Sequence, residues 1–345
     1  MKKIMFCGGG SAGHVVPNLA LIEQLKGDYK ICYIGTNSIE RQIMQEAGVD
    51  FYTFSAVKVV RGKLLCNCAI PFKLYKSVNM CKDILLKSKP DLLFCKGGYV
   101  SVAPTLAAHK LGIPVLTHES DLNAGLANKF IAGKCKQVLT AFPSTAKRFK
   151  RGIYVGTPIR RSLFDKNKLA AKAKYGFDMR PTIIIFGGGS GSQVINKATF
   201  KCIHQLCNKY NILHICGKGN MAVNKIYGYK QVEFISDMGA AYACADYAVA
   251  RCGANSASEL IALKIPTLFI PLENKRSRGD QVANAKYFLN KGLCHVLRES
   301  RLTPSRLLEE IENLLNDEKL KTALETNVLK CGNSNIINII KATLR

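Results

Sequence analysis

Residues 4–14 read IMFCGGGSAGH, and residues 183–193 read IIIFGGGSGSQ. Each stretch runs from apolar residues into a triple glycine and a serine, and a helical pattern follows. A continuous apolar run closed by glycines describes a strand covered on both faces that turns sharply into a helix. That is the first βα turn of a doubly wound domain. Its presence twice predicts two such domains in one chain.

The surrounding sequence fits. Further strands are expected at Ile31–Ile34, Phe51–Phe54, Leu92–Cys95, Val115–His118, Val138–Phe142 and Ile153–Val155 in the first half. The second half offers Ile212–Cys216, Val232–Ile235, Tyr247–Ala250, Thr267–Ile270 and Cys294–Leu297. Longer helical patterns separate these runs, and such alternation argues for parallel sheets with right-handed crossovers. The seam is expected near Gly156–Leu163, with a helix over Leu163–Tyr175 leading onward. The predicted domains are residues 1–160 and 161–332, with an amphipathic helix at 333–345 placed to pack back on the first. A ligand cleft is expected between the carboxyl ends of the two sheets.

With 50 Lys and Arg against 24 Asp and Glu, the formal charge is +26, which implies an anionic partner: nucleic acid, a phosphate-rich ligand or a membrane surface. Hydrophobic residues at 48% exclude global disorder. The fourteen cysteines do not describe a disulfide framework, since there is no C-x-x-C pair and MKKIMFC enters the glycine loop without a signal-peptide pattern. Cys66 and Cys68 lack a second pair to complete a zinc site. The thiols are read as reduced and cytoplasmic, with Cys7, Cys32 and Cys95 as small core hydrophobes. No apolar run reaches the ~20 residues needed to cross a bilayer.

Gly8, Gly9, Gly10 and Gly13 allow close backbone approach to a ligand, and the amides of the following helix start suit a phosphate. The loop is neither Walker A nor a strict G-x-G-x-x-G, and no acid clearly ends the second strand, which disfavours a nicotinamide-dependent dehydrogenase. A plain tight turn stays open. His14 lies in the first helical turn, where the dipole disfavours imidazolium; it reads equally as a neutral base near pH 7 or as a polar contact to phosphate. Residues 250–288 hold a second anion site at Gly253–Ser258. Glu259 follows and suits a neutral diol such as ribose, or simply satisfies the helix dipole. Gln281 and Asn284 share a helix face and either read sugar hydroxyls or face water. Glu119 and Asp121, in HESDLNAGLANK, are candidates for acceptor binding or general-base work, against helix capping by Ser120 or Asp121. The glycines of Lys96–Gly97–Gly98–Tyr99 permit approach to an anionic acceptor or make a plain turn. No metal site stands out.

At these residues the sequence resembles the MurG family, the UDP-N-acetylglucosamine–lipid I N-acetylglucosaminyltransferases of peptidoglycan synthesis. The matching pieces are GGGSAGHVVPNLAL, GGYVSVAP, HESDLNAGLANK, GTPIR, FGGGSGSQVINK, FISDMGAAYACAD and RCGANSASELIALKIPTLFIPL followed by GDQVANA, in the family's order across nearly the whole chain. The resemblance implies the GT-B fold, two Rossmann-like domains with the donor nucleotide held mainly by the second. Carried over by position, Ser11, Ala12 and Gly13 form the first glycine loop and Ser190 lies in the second. Arg160 serves the donor at the seam. Ile235 and Met238 flank the uracil, Ala254, Asn255, Ser256, Ala257, Ser258 and Glu259 surround the diphosphate and ribose, and Gln281 contacts the N-acetylglucosamine, with Asn284 beside it. Asp121 stands where many members have Asn, and Ser-Ala-Gly replaces the common Thr-Gly-Gly.

The implied reaction is an inverting displacement from UDP-N-acetylglucosamine onto the C4 hydroxyl of lipid I, undecaprenyl-diphospho-N-acetylmuramyl-pentapeptide, giving lipid II. His14 is the expected base and Glu119 the second candidate. No cofactor is required. Residues 57–76 interleave Leu64, Leu65 and Phe72 with Lys63 and Lys73, which suits either an interfacial patch on anionic lipid or a core helix with a basic face. The lipid acceptor favours the patch, and with it a peripheral place on the cytoplasmic face of the membrane. Contact with other cell-wall synthesis proteins stays open. The competing reading is another GT-B UDP-sugar transferase with a different lipid acceptor. Nucleic acid is disfavoured, because no reader motif is present.

Overall fold

The computed structural model describes residues 1–58, 68–165, 167–222, 225–273, 279–327, 329 and 331–345. The chain divides into two compact units, Met1–Arg160 with Lys330–Arg345, and Arg161–Leu329.

The first unit holds β1 (Lys3–Cys7), β2 (Lys30–Gly35), β3 (Asp50–Thr53), β4 (Leu92–Cys95), β5 (Val115–Glu119), β6 (Gln137–Thr140) and β7 (Gly152–Tyr154). All pair in parallel, in the order β3-β2-β1-β4-β5-β6-β7. The strand order reverses between β1 and β4, and crevices beyond that point are where doubly wound sheets bind ligands. Side chains alternate across the sheet. Ile4 and Phe6 join one buried cluster and Met5 and Cys7 the other, so both faces are covered and the strands read as continuous apolar runs. The helix Ile70–Ser88 covers the second face with Val78, Cys81 and Leu85.

The terminal helix Asn333–Leu344 packs Ile336, Ile340 and Leu344 into the cluster of Ile4 and Phe6. Asn333 fixes it. Its Oδ1 accepts from the Ile159 amide at 2.8 Å, and its Nδ2 donates to Ile159 O at 2.9 Å and Ala20 O at 3.2 Å.

The second unit repeats the plan with β8 (Thr182–Phe186), β9 (Asn211–Ile215), β10 (Tyr229–Val232), β11 (Tyr247–Ala250), β12 (Thr267–Phe269) and β13 (His295–Val296). Its order, β10-β9-β8-β11-β12-β13, reverses between β8 and β11.

Two elements differ from the sequence reading. The strand expected at Val232–Ile235 lies three residues earlier, because Val232 pairs with Ile215 at the very end of β9 and leaves Ile235 no partner strand. The helix expected from Leu163 begins at Lys168, where the Asn167 side chain accepts from the Ala170 amide at 3.0 Å and sets the start. A single 3₁₀ turn, Arg161–Leu163, precedes it. Among the described residues every cysteine is free, and no helix is long and apolar enough to cross a membrane. Leu64, Leu65 and Lys63 lie outside the described residues. Phe72 and Lys73 stand in the first turn of the helix Ile70–Ser88, with Phe72 63% exposed.

Candidate active site

In the first unit, four loops meet at the carboxyl ends of β1, β2, β4 and β5. The loop after β1 opens the helix Ala12–Leu25, with Ser11 at its N-cap in an extended conformation. Ser11 and Gly13 are exposed and Ala12 is half-buried, so the helix start is accessible to a ligand. His14 is half-buried, and its Nδ1 lies 3.3 Å from the carbonyl of Lys96. A carbonyl only accepts, so Nδ1 carries the proton and the ring's lone pair sits on Nε2.

Gly98, at φ +75°, lies flat against that ring. A Cβ there would stand 3.2 Å from His14 Cδ2 and Nε2. Gly10, at φ +77°, is similarly covered by the Tyr99 ring, which a Cβ would meet at 2.6 Å.

The acid that sequence reasoning failed to find near β2 is Glu40. It is fully buried in the helix Ile39–Glu46 and turns back on the glycine loop, where its Oε2 accepts from the Gly10 amide at 3.3 Å. Its Oε1 accepts from the Thr36 amide at 3.0 Å and from the Thr36 hydroxyl. Glu40 stands five positions beyond the last residue of β2, too far for the usual acid-at-strand-end cue.

Glu119, the second candidate base, is engaged by its own loop. It ends β5 at 5% exposure, and its two oxygens accept from the Asp121 amide at 3.0 Å, the Gly125 amide at 2.8 Å and Asn128 Nδ2 at 2.9 Å. Burial and the neighbouring Asp121 outweigh those bonds and hold its pKa above the usual carboxylate value. Such a carboxylate organises the loop. Helix capping by Ser120 or Asp121 is corrected: the next helix, Leu126–Ile131, starts after Gly125, because Glu119 first folds residues 120–125 into a turn. Asp121 is half-buried in that turn.

Lys96 is buried at 2% exposure, with its Nζ 2.7 Å from His118 Nδ1 and in contact with Ser120 Oγ. Burial brings its pKa down to about 7, against the pull of Glu119 and Asp121. His118 lies well below its usual value through burial and the adjacent Lys96.

In the second unit, the loop after β8 carries Ser190, exposed, and Ser192, which caps the helix Gln193–Lys209 by accepting from the Ile195 amide at 3.4 Å. The loop after β11 leads into the helix Ala254–Ala262. Asn255 and Ser256 are half-buried at its first turn, Ala254 and Ala257 are buried beneath, and the Ser258 hydroxyl donates to Ala254 O at 2.8 Å. Glu259 is the sixth residue of this helix, so a first-turn dipole role is corrected; its Oε2 accepts from the Tyr242 hydroxyl at 2.9 Å. Tyr242 belongs to the helix Met238–Cys244, so that bond joins Met238's helix to Glu259's. Ile235 and Met238 are both half-buried.

Gln281 is half-buried, and its side-chain oxygen accepts from the Leu272 amide at 3.0 Å. Asn284, expected to share an outward face, is fully buried and donates to Cys252 O at 3.4 Å, so it supports the loop after β11 instead of reaching a sugar. Arg251 was missed by sequence reasoning, although an arginine directly after an apolar strand was its signal. At 7% exposure it donates to Ser192 Oγ at 2.8 Å and to Ile270 O at 3.0 Å, and it pairs with Glu299. It thereby ties together the loops after β8, β11 and β12. The Nε of Arg160 is buried without a hydrogen-bond partner among the described residues.

Residues 4–140 match the glycosyltransferase family 28 N-terminal domain, and residues 182–337 match the family's C-terminal domain. The chain is 41% identical, over 99% of each sequence, to the UDP-N-acetylglucosamine–N-acetylmuramyl-(pentapeptide) pyrophosphoryl-undecaprenol N-acetylglucosamine transferase of Clostridium kluyveri. The transferase of the same name from Clostridium botulinum strain 657 is equally similar, at 41% over 99% of each. Among solved structures, MurG of Acinetobacter baumannii superposes with a TM-score of 0.76 at 26% identity, covering 99% of this chain and 100% of that one. A kitacinnamycin glycosyltransferase aligns at a TM-score of 0.74 and 14% identity, over 100% of this chain and 99% of that one, which speaks for the fold alone.

Proposed function

The chain belongs to glycosyltransferase family 28, and on that premise we propose that it transfers N-acetylglucosamine from UDP-N-acetylglucosamine to the C4 hydroxyl of lipid I, producing lipid II. The observation that carries this is the 41% identity to the Clostridium kluyveri transferase along the full length of both sequences. The site chemistry supports it.

In the reaction, a bond forms between the acceptor's C4 oxygen and C1 of the sugar as the bond from C1 to the β-phosphate oxygen breaks. The configuration at C1 inverts. The hydroxyl proton passes to His14 Nε2, the nitrogen that the Lys96 carbonyl leaves basic. The electron pair leaves with UDP, whose developing charge is met by helix N-termini and by Arg160. Ala254–Ser258 receive the diphosphate, Glu259 the ribose, Ile235 and Met238 the uracil, and Gln281 the sugar. Ser11–Gly13 and Ser190 contribute from the glycine loops and Asp121 from the turn after β5. No cofactor takes part. The enzyme works peripherally on the cytoplasmic face of the membrane, held there by Phe72, Lys73 and their sequence neighbours Lys63, Leu64 and Leu65.

The test is UDP release with a lipid I analogue, on wild type, His14→Ala and Glu259→Ala. Glu259→Ala is expected mainly to raise KM for the donor. His14→Ala is expected to lower kcat by about 100-fold or more. Full turnover by His14→Ala refutes the base assignment, and preference for UDP-galactose or for a different lipid acceptor refutes the substrate assignment.

A further inference from the structure

One carbonyl, that of Lys96, decides which nitrogen of His14 bears the proton. The peptide that carries it runs straight into Gly97 and Gly98, at φ +79° and +75°, a segment with little stiffness of its own. Something must hold the carbonyl in place. The Lys96 amide donates to Cys7 O at 2.8 Å, which fixes the peptide on the β1 side. On the other side stands the buried Lys96 side chain.

Its surroundings fix the direction of each proton. His118 Nε2 lies 2.8 Å from the carbonyl of Gly156, so Nε2 carries the ring proton and Nδ1 is the acceptor. Lys96 Nζ, 2.7 Å from that Nδ1, must therefore donate. Its other partner, Ser120 Oγ, can also accept. Two neutral acceptors suit an amine with two N–H groups, in keeping with the low pKa that burial gives this lysine. The side chain thus bridges the end of β4 to the end of β5 and, through His118, to the segment after β7.

We infer that Lys96 is a positioning residue for the transfer reaction: by clamping the Lys96–Gly97 peptide to His118 and Ser120, it holds His14 as the Nδ1–H tautomer with Nε2 as the base. This rests on the reading of His14 as base. Lys96 itself touches no substrate.

The test has two readouts on the full chain. The first is the ¹⁵N shifts of the His14 ring nitrogens in wild type, Lys96→Met and Ser120→Ala. The wild type is expected to show a protonated Nδ1. Lys96→Met is expected to move His14 toward the Nε2–H tautomer, and Ser120→Ala, which keeps the His118 anchor, to move it less. The second is a double-mutant cycle on kcat. Lys96→Met is expected to lower kcat by about 10–100-fold with KM for UDP-N-acetylglucosamine little changed. In a His14→Ala background, the same substitution is expected to change kcat less than about twofold.

Unchanged ring shifts in Lys96→Met overturn the inference, as does an undiminished effect in the His14→Ala background. Should Lys96→Met fail to fold, unchanged shifts in Ser120→Ala overturn it. Full turnover by His14→Ala alone refutes the base reading and leaves the tautomer result to decide what Lys96 does to the ring.

Discussion

Gly98→Ala separates loop geometry from fold stability. Gly98 sits at φ 75° and ψ 169°, a region open essentially to glycine, where another residue costs on the order of 1–3 kcal/mol. The new Cβ would stand 3.2 Å from two atoms of the His14 ring, inside the ordinary contact distance of about 3.5–4.0 Å. The ring must therefore retreat by roughly half an ångström, and its bond to Lys96 O, already 3.3 Å, lengthens. A misplacement of about 1 Å costs on the order of 100-fold in rate, so kcat should fall about tenfold. The strain should lower Tm by about 3–10 °C. The assay is steady-state UDP release with calorimetric UDP affinity and thermal unfolding measured alongside. UDP affinity should hold, because the residues assigned to the diphosphate, ribose and uracil, Ala254–Glu259, Ile235 and Met238, belong to the second unit. If Tm falls as worked while kcat stays at the wild-type value, the ring position does not govern turnover and the base assignment loses its geometric support.

Asn333→Ala removes the side chain's bonds to the Ile159 amide and carbonyl, to Ala20 O and to the Cys331 thiol, and takes from the Ile159 peptide its partners under the terminal helix, while Ala20 O keeps the bond from Gln24 Nε2; at about 1 kcal/mol for each of the three nitrogen–oxygen bonds, unfolding stability should drop by roughly 3 kcal/mol, and a loss under about 1 kcal/mol by denaturant titration would show that the helix is held by Ile336, Ile340 and Leu344 alone. Replacing Leu64, Leu65 and Phe72 with serine should weaken binding to anionic liposomes by more than about tenfold, given roughly 1.5–3 kcal/mol for each large apolar side chain removed from water; unchanged liposome binding would end the docking proposal. Lys96 predicts a pH dependence. Its folded pKa of about 7 lies below the unfolded value near 10.5, so the unfolded chain binds the extra proton between them and Lys96 favours folding progressively as pH rises through that window. Relative to Lys96→Met, wild-type stability should therefore rise from about pH 7 to pH 10 and run flat below; equal slopes in the two proteins would show that Lys96 keeps its usual pKa.

The doubly wound plan was legible because buried parallel strands leave an unbroken signal: Ile183, Ile184 and Ile185 are all fully buried, and no loop imitates such a run. The edge of a sheet is harder to read. Tyr229–Val232 is only partly buried, and its bounds depend on where its neighbour stops, which no local pattern records. The candidate site divides the same way. Glycine loops and helix starts announce themselves through residue type. Glu40, Lys96 and Arg251 do not, since their importance comes from a side chain crossing to another strand's loop. Glu119 shows a second role that residue type hides: a carboxylate in a polar stretch reads as chemistry, and its three hydrogen bonds also hold the turn.

The two units solve one structural problem in corresponding places. Each must hold a glycine-rich loop rigid at the point where its strand order reverses. Lys96 directly follows β4, the strand beside β1, and Arg251 directly follows β11, the strand beside β8. Their amides donate to the last residue of that neighbouring strand, Lys96 to Cys7 O at 2.8 Å and Arg251 to Phe186 O at 3.3 Å. Both side chains are then buried and reach across to further loops, Lys96 to His118 and Ser120, Arg251 to Ser192, Ile270 and Glu299. A long side chain with several donors at this position can replace the stiffness that glycines remove, because loop carbonyls, hydroxyls and imidazole nitrogens are the acceptors within reach. The difference is electrostatic. Arg251 is a guanidinium with the Glu299 carboxylate against it. Lys96 has neutral acceptors and is drawn toward the amine by burial. A formal charge of +26 counts these two residues alike, but one is held against a carboxylate and the other against a neutral imidazole and a hydroxyl.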